Sequence, residues 1–419
     1  MDTIFAEATP PGKGGVSIVR LSGPQAHAIA AALVGPLPEA RQAVLRDIVD
    51  HGERIDSALI VNFAAGHSFT GDDVVEFHLH GAPVVVRRIA EALRRAGARR
   101  AGAGEFTRRA FLAGRIDLTQ VQGLSDLLAA ETEAQRQLAM RNAGGELGRL
   151  GEGWRARLVE AAALLTAAAD FPDEDTGDAL EETAARLVAG VHEEIEATLR
   201  GAQAAEIVRE GFTIAILGPP NAGKSTLLNA LVRREVAIVT DRPGTTRDLI
   251  EVHLDIGGYA VTLIDTAGLR ETSDEIEREG IARARAAARR ADLRLHLSED
   301  ATPDPESFVG GDLVVRAKAD AGGGGLAVSG KTGAGIDALL ERIATELSTR
   351  VAGAGVVSHR TQVDALSRAA DALRSAETAP VELAAEFLAR ALRELEALLG
   401  RVDIEDHLDL IFSRFCIGK

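Results

Sequence analysis

The run Gly218-Pro219-Pro220-Asn221-Ala222-Gly223-Lys224-Ser225 has the residue types and spacing of a loop that holds phosphates. Its glycines let backbone N–H groups wrap an anion, and the helix-forming Thr226-Leu227-Leu228-Asn229 places a helix N-terminus behind them. Lys224 is suited to neutralise the β- and γ-phosphates of a nucleotide, and the Ser225 hydroxyl to ligate Mg²⁺. Downstream, Asp265-Thr266-Ala267-Gly268 closes a predicted strand, where an acid serves as an outer Mg²⁺ ligand and Gly268 offers its N–H to a γ-phosphate. Between them lies Asp241-Arg242-Pro243-Gly244-Thr245-Thr246-Arg247-Asp248, with Thr246 assigned to close over the metal. Two loops that sense a γ-phosphate make a switch, ordered with triphosphate and released on hydrolysis. Gly-Thr-Thr alone is a weak signal; in this order it is a strong one.

The base-reading elements depart from the usual pattern. Leu313-Val314-Val315 leads to Ala317-Lys318-Ala319-Asp320, where guanine-specific GTPases have Asn-Lys-x-Asp. The Asp320 carboxylate can accept hydrogen bonds from guanine N1 and N2, which adenine cannot supply, and the Lys318 stem can lie on the base. Ala317 replaces an asparagine that ordinarily ties this loop to the phosphate loop. Ser329-Gly330-Lys331 resembles the Ser-Ala-Lys element that meets the guanine carbonyl, again with one change. The carboxylate favours GTP over ATP, and the two changes predict weaker affinity.

Such loops need a sheet beneath them. Phe212-Thr213-Ile214-Ala215-Ile216-Leu217 is a buried-strand run feeding the phosphate loop, and Val261-Thr262-Leu263-Ile264 is another. Strand and helix alternate over 211–350, which predicts an α/β P-loop GTPase (Ras-like) domain. Over 118–210 and 351–419 Ala, Leu, Glu and Arg recur at helical spacing, with Leu158, Ala162, Leu165 and Ala169 as one stripe. A break is expected near Phe171-Pro172. The simplest architecture is multidomain: the α/β domain inserted into an all-α helical domain, behind an N-terminal α+β domain over 1–117. In that first domain strands are expected at 16–21, 58–63 and 74–79, and helices at 24–33 and 83–96.

The 419 residues suffice for two or three cores. A net charge of −16 opposes long-range attraction to nucleic acid, so a nucleic-acid substrate would lean on a partner for much of its binding. Arg87, Arg88, Arg94, Arg95, Arg99 and Arg100 offer either a local basic surface or the solvated face of a helix. Cys416 is the single cysteine, which fits a reducing compartment. The start has no basic segment before an apolar one, and no apolar run reaches the ~20 residues that span a bilayer. A cytoplasmic chain without membrane attachment is expected.

Four more segments lie outside the nucleotide motifs. They are Ala8-Thr9-Pro10-Pro11-Gly12-Lys13-Gly14-Gly15-Val16, Phe69-Thr70-Gly71-Asp72-Asp73-Val74-Val75-Glu76, Gly104-Glu105-Phe106-Thr107-Arg108-Arg109-Ala110-Phe111-Leu112 and Phe415-Cys416-Ile417-Gly418-Lys419. With them the chain resembles the MnmE (TrmE) tRNA-modification GTPases along essentially its full length. The resemblance implies a folate-binding N-terminal domain that dimerises, so a homodimer, then a helical domain with an inserted G domain. It implies a flavoprotein partner, MnmG (GidA), in a heterotetramer or larger complex. The complex would install a (carboxymethyl)aminomethyl group at C5 of the wobble uridine, U34, of certain tRNAs, with a tetrahydrofolate derivative as one-carbon donor.

By the same resemblance, folate contacts map onto Arg20, Glu76, Arg115 and Lys419. A folate carboxylate suits an arginine and a pterin amino group suits Glu76; read alone, each is an ordinary charged residue. The family's K⁺ ligands map onto the Asn221 side chain, the Thr240 and Arg242 backbones, and Thr245, with G-domain dimerisation triggering hydrolysis. A monovalent cation there would take the place of an arginine finger. Glu277 maps onto the water-orienting residue, and Cys416 onto a terminal cysteine with a role in the modification chemistry. Unaided, Asn221 reads as loop filler, Glu277 as a helix-surface acid and Cys416 as a tail residue. Against the family, 298–312 is short and Arg294 and His296 make their strand unusually polar. A ribosome-assembly GTPase, or a folate-binding dimer with a slow, degenerate GTPase, are the competing readings.

Overall fold

Apolar residues at every second position turn Val19 and Leu21 of β2 (Val16–Ser22) and Val75, Phe77 and Leu79 of β5 (Val74–His80) to one buried side. The two strands pair antiparallel, Val19 opposite Phe77 and Leu21 opposite Val75. Around them the computed structural model builds a six-stranded sheet in the order β3-β4-β5-β2-β1-β6, with β1 Ile4–Glu7, β3 Ala43–Asp50, β4 Glu53–Phe63 and β6 Arg99–Arg100. The structure describes residues 2–170, 177–219, 221–236, 251–265, 286, 288–320, 325–402, 412–413, 415 and 418. It divides into two units, 1–125 with 396–419 and 126–395.

In the first unit α1 (Ala26–Val34) and α2 (Pro83–Arg95) bury Ile29, Ala30, Ile89 and Leu93 on the sheet face that carries Phe5, Leu21, Ile60 and Phe77. The strands expected at 16–21, 58–63 and 74–79 fall within β2, β4 and β5. β4 starts five residues before the expected position because it forms a hairpin with β3 around His51 and Gly52, both at positive φ. β3 escapes a reading by burial pattern, since Ile48 is its one buried side chain. The helix α3 (Glu105–Leu112) is tied to the chain start by Arg109, whose guanidinium reaches Asp2 O and Asp2 Oδ1, each at 2.8 Å, and Glu105 at 3.3 Å. Phe412 and Phe415 bury themselves on Val121, beside Phe111 and Leu124.

Half of the arginine cluster is committed to carboxylates. Arg88 pairs with Glu53 at 2.6 Å, Arg95 with Asp50, and Arg99 with both Asp2 and Glu105 at 2.7 Å. Three of the six charges are thereby offset within the unit, which halves the basic surface the cluster could offer a phosphate backbone.

In the second unit α6 (Glu146–Asp170) and α7 (Gly177–Arg200) lie side by side, and α7 also meets α11 (Arg360–Thr378). The buried stripe of α6 is Leu158, Ala161, Leu165 and Ala168. Ala162 and Ala169, expected in that stripe, stand half-buried and exposed instead. The spacings 3-4-3 and 4-3-4 both fit 3.6 residues per turn, and in an alanine-rich helix side-chain size does not separate them. The expected break at Phe171-Pro172 lies outside the described residues. Helices α5 (Glu133–Ala143) and α8 (Ala202–Glu210) precede a second sheet, of order β11-β10-β7-β9-β8. Strands β7 (Phe212–Leu217), β9 (Tyr259–Asp265), β10 (Leu293–Ser298) and the edge strand β11 (Leu313–Arg316) run parallel, and β8 (Glu251–Ile256), at the other edge, is antiparallel to β9. Helices α9 (Lys224–Leu231) and α10 (Ile336–Arg350) cover it, burying Leu227, Leu231, Leu339 and Ile343 with Ile214 and Leu295. Among the described residues no helix is long and apolar enough to cross a membrane.

Candidate functional site

In the second sheet, ligands of such folds sit beyond the carboxyl ends of the parallel strands. β7 ends at Leu217, and the chain turns at Gly218, whose φ is +152°. A Cβ there would stand 2.1 Å from Leu297 O, so only glycine lets the loop pass under β10. Asn221 takes the left-handed φ of +64° and Gly223 one of +95°, and α9 begins at the next residue. Lys224 is buried, and its Nζ donates to Gly218 O at 2.7 Å and Pro219 O at 3.0 Å, which holds the ammonium inside the curl of the loop. A Cβ on Gly223 would meet nothing within 4 Å, so the concave side is open. The Ser225 hydroxyl and the Asn221 amide oxygen, both on exposed residues of this loop and helix start, are hard oxygen ligands, a type that fits Mg²⁺ or K⁺.

Parallel pairing brings the base-reading loops to the same edge. Ala317 N donates to Ser298 O at 2.7 Å, and Ala319 N to Val328 O at 3.1 Å. The Ser329 hydroxyl bonds the Asp320 carboxylate and also accepts from Thr332 N at 3.1 Å, fixing the acid's direction. Gly330 lies so close to α9 that a Cβ would be 2.9 Å from both C and O of Thr226. This gives the glycine at that position a physical cause: the loop rests directly on the helix backbone. Asn221, Ala222, Gly223 and Thr226 thus share one cavity of about 370 Å³ with Lys318, Asp320, Ser329, Gly330 and Lys331. Ala317, Leu227, Leu297 and Val328 complete its wall; the two leucines and the valine carry no motif and so give no signal before the fold is known.

Ser225 stands exposed in the first turn of α9, and Asp265 ends β9 in register with Ile216. Thr240, Asp241, Arg242, Pro243, Gly244, Thr245, Thr246, Thr266, Ala267, Gly268 and Glu277 lie outside the described residues.

The first unit holds a second cluster. Arg20 of β2 sits opposite Glu76 of β5, joined through Nε at 2.9 Å and Nη2 at 2.8 Å to Oε1. His78 Nε2 is 3.3 Å from the other carboxylate oxygen, and the Arg20 guanidinium lies 5.8 Å from the Phe106 ring centre. His78 was not singled out from the sequence; period-two spacing from Glu76 is the signal that could have found it. Arg115 is held elsewhere, its Nη1 donating to Gly66 O at 2.8 Å. Gly418 packs on the end of β1, where a Cβ would be 2.2 Å from Glu7 O, the residue next to Ala6, which pairs with Arg20. Gly418 therefore meets β1, the strand that pairs with β2 and its Arg20. Cys416 and Lys419 themselves lie outside the described residues.

Comparison with known proteins accords with this arrangement. A family described as the GTP-binding protein TrmE N-terminus matches residues 3–115, and one described as the MnmE helical domain matches residues 118–416. The chain is 53% identical over 420 residues to the tRNA modification GTPase MnmE of Paracoccus denitrificans (strain Pd 1222), covering 100% of both chains. It is 49% identical to the protein of that name from Cereibacter sphaeroides (strain ATCC 17025 / ATH 2.4.3) and 47% to that from Ruegeria pomeroyi, again over 100% of each chain. With matches of this extent and a phosphate loop, base loops and terminal segment arranged as described, the chain belongs to the MnmE (TrmE) family.

Proposed function

We propose that the chain is the GTP-hydrolysing component of a system that modifies C5 of the wobble uridine of tRNA. The observation that carries the reading is the single cavity in which the phosphate loop, Lys224 behind it, faces the Asp320 carboxylate and Lys318. The Asp320 carboxylate, aimed by Ser329, accepts from guanine N1 and N2, and rejection of adenine follows from leaving that carboxylate unpaired. Lys224 leaves the Gly218 and Pro219 carbonyls for the β- and γ-phosphate oxygens, an exchange within one side chain's reach.

Ser225 and Thr246 are the residues to hold Mg²⁺, with Asp265 as outer ligand, and the Asn221 side chain with Thr240, Arg242 and Thr245 those to hold K⁺. Both cations supply positive charge against the negative charge that grows between β- and γ-phosphates. Glu277 orients the attacking water, and pairing of two G domains completes the site. In the first unit Arg20 and Glu76, with Arg115 and Lys419, bind a reduced folate as one-carbon donor, and Cys416 serves the modification chemistry. The chain acts in the cytoplasm as a homodimer with a flavoprotein of the MnmG type, which carries much of the tRNA binding because the chain itself is acidic, at −16. The domain division belonging to this reading is 1–117, 118–210, 211–350 and 351–419.

Hydrolysis of GTP by the purified chain in potassium and in sodium buffer, with ATP as control, tests the proposal. GTP-selective hydrolysis stimulated by potassium is the expected result. Equal rates in both salts would remove the potassium site, and equal rates with ATP would overturn the base assignment.

A further inference from the structure

Ala317 has only a methyl group where an asparagine would ordinarily brace the base loop, so something else must brace it. The last residue of β10 and the one after it face the two residues that follow β11, because the parallel register sets Ser298 opposite Arg316. Ser298 O takes the Ala317 N–H at 2.7 Å, and Glu299 Oε1 takes the Lys318 ammonium at 2.6 Å. Lys318 needs such a hold, since its φ of +55° is a left-handed conformation that a non-glycine residue adopts only at a cost. Its side chain lines the proposed base cavity.

The loop that presents Glu299 is built to stay in place. The Ser298 hydroxyl donates to Thr302 O at 3.0 Å and accepts Thr302 N–H at 2.8 Å, closing the turn that contains Glu299. Further along, the Asp312 carboxylate is 1% exposed and accepts from Arg294 N and Arg294 Nη1 at 3.2 Å, from Val309 N at 2.7 Å, and lies 3.4 Å from His296 Nε2. His296 Nδ1 in turn accepts Asp304 N–H at 3.2 Å, and Phe308 lies against its ring at 5.5 Å. The polar residues of β10 are thus the internal scaffold of the short 298–312 segment, with a carboxylate satisfied by several donors.

We infer that Glu299 is a positioning residue for guanine-nucleotide recognition: it holds the Lys318 stem over the base plane and takes up the bracing that Ala317 cannot give. The inference rests on the proposed role of the 317–320 loop. Both side chains are half exposed or more, at 51% and 64%, so the effect is modest and sensitive to salt.

The test is titration of the full chain with a fluorescent GDP and with a slowly hydrolysed GTP analogue, for wild type, Glu299→Gln and Glu299→Asp, at low and high potassium chloride. Glu299→Gln should raise Kd for both nucleotides about two- to fivefold at low salt. The difference should shrink as salt rises, Glu299→Asp should recover part of it, and kcat at saturating GTP and the melting temperature should stay put. A Kd unchanged at low salt, or a loss in kcat with Kd intact, overturns the inference. Asp320→Asn, compared on guanosine and xanthosine diphosphates, separates the two levels of the argument. If Asp320→Asn keeps its preference for guanine, the base-loop reading fails and this inference with it. If it moves to xanthine while Glu299→Gln binds as wild type does, only the role of Glu299 is lost.

Discussion

Gly218→Ala puts the geometry of the phosphate loop to a quantitative test. The new Cβ would lie 2.1 Å from Leu297 O and 3.1 Å from Leu297 C, both backbone atoms of the neighbouring β10. Contact at that distance cannot be relieved by a side-chain rotation, so β7 and β10 must part or the loop must be displaced. Overpacking of this kind costs about 1–3 kcal/mol, and a φ of +152° on a side-chain-bearing residue adds about 1–3 kcal/mol. If all of the resulting ~2–6 kcal/mol is taken from nucleotide binding, Kd rises by roughly 30-fold to more than 10⁴-fold. Whatever part is taken from folding lowers Tm by about 2–4 °C per kcal/mol.

Gly223→Ala is the matched control. Its Cβ meets nothing within 4 Å and its φ of +95° costs only about 1–2 kcal/mol, yet the methyl group enters the open side of the loop. Gly218→Ala should therefore damage both melting temperature and GTP affinity. Gly223→Ala should damage affinity far more than melting. Calorimetric melting and GDP titration on the same preparations read both quantities. A Gly218→Ala protein that melts within 1 °C of wild type and binds GDP equally well would refute the reasoning, because the close approach to Leu297 would then carry no energy (the threshold being about a quarter of the smallest expected shift).

Arg109→Met removes a 7%-exposed guanidinium from Asp2, Glu105 and Asp72, and should destabilise the first unit by about 3–5 kcal/mol in urea unfolding while leaving kcat for GTP unchanged. The Arg99 guanidinium holds Asp2 from an ordinary 3.8 down to about 2, and together with Gly102 N–H and Arg109 it lowers Glu105 against the opposing effect of burial. Carboxylates lowered by folding stabilise fully above their unfolded values and lose that contribution as pH falls through their folded ones. Unfolding at pH 5 and pH 3 should therefore show a loss on acidification, below about 1 kcal/mol for the exposed Asp2, and Arg99→Gln should remove most of it. Trp154 is 1% exposed and its Nε1 donates to Glu194 at 2.9 Å, so Trp154→Phe should cost the helical bundle about 1–2 kcal/mol by chemical denaturation.

The strand, loop and helix start read as a phosphate cradle were legible because their chemistry leaves few alternatives. A buried-strand run, a glycine-spaced loop and a helix former can hardly be arranged otherwise, and the expected strand over 212–217 coincides with β7. The changes at Ala317 and Gly330 were visible as departures, but their causes were not. Nothing in a sequence says that residue 330 touches the backbone of Thr226, or that residue 298 supplies the carbonyl for Ala317. Likewise Arg294 and His296 looked out of place in a strand until Asp312, from the next strand's threshold, proved to be their partner. The stripe on α6 was half right for a simpler reason: alanines on neighbouring faces differ too little in size to mark which one is inside. Pairings between distant segments, such as Arg20 with Glu76 or Gly418 with Glu7, depend on topology that local periodicity does not contain.

The central claim is that nucleotide chemistry in the second unit drives modification of the wobble uridine. Nucleoside analysis of bulk tRNA tests it most directly, in cells lacking the chain and in the same cells given wild type or Lys224→Ala. The C5-modified uridine should disappear without the chain, return with wild type, and not return with Lys224→Ala. Full modification without the chain, or full restoration by Lys224→Ala, would contradict it.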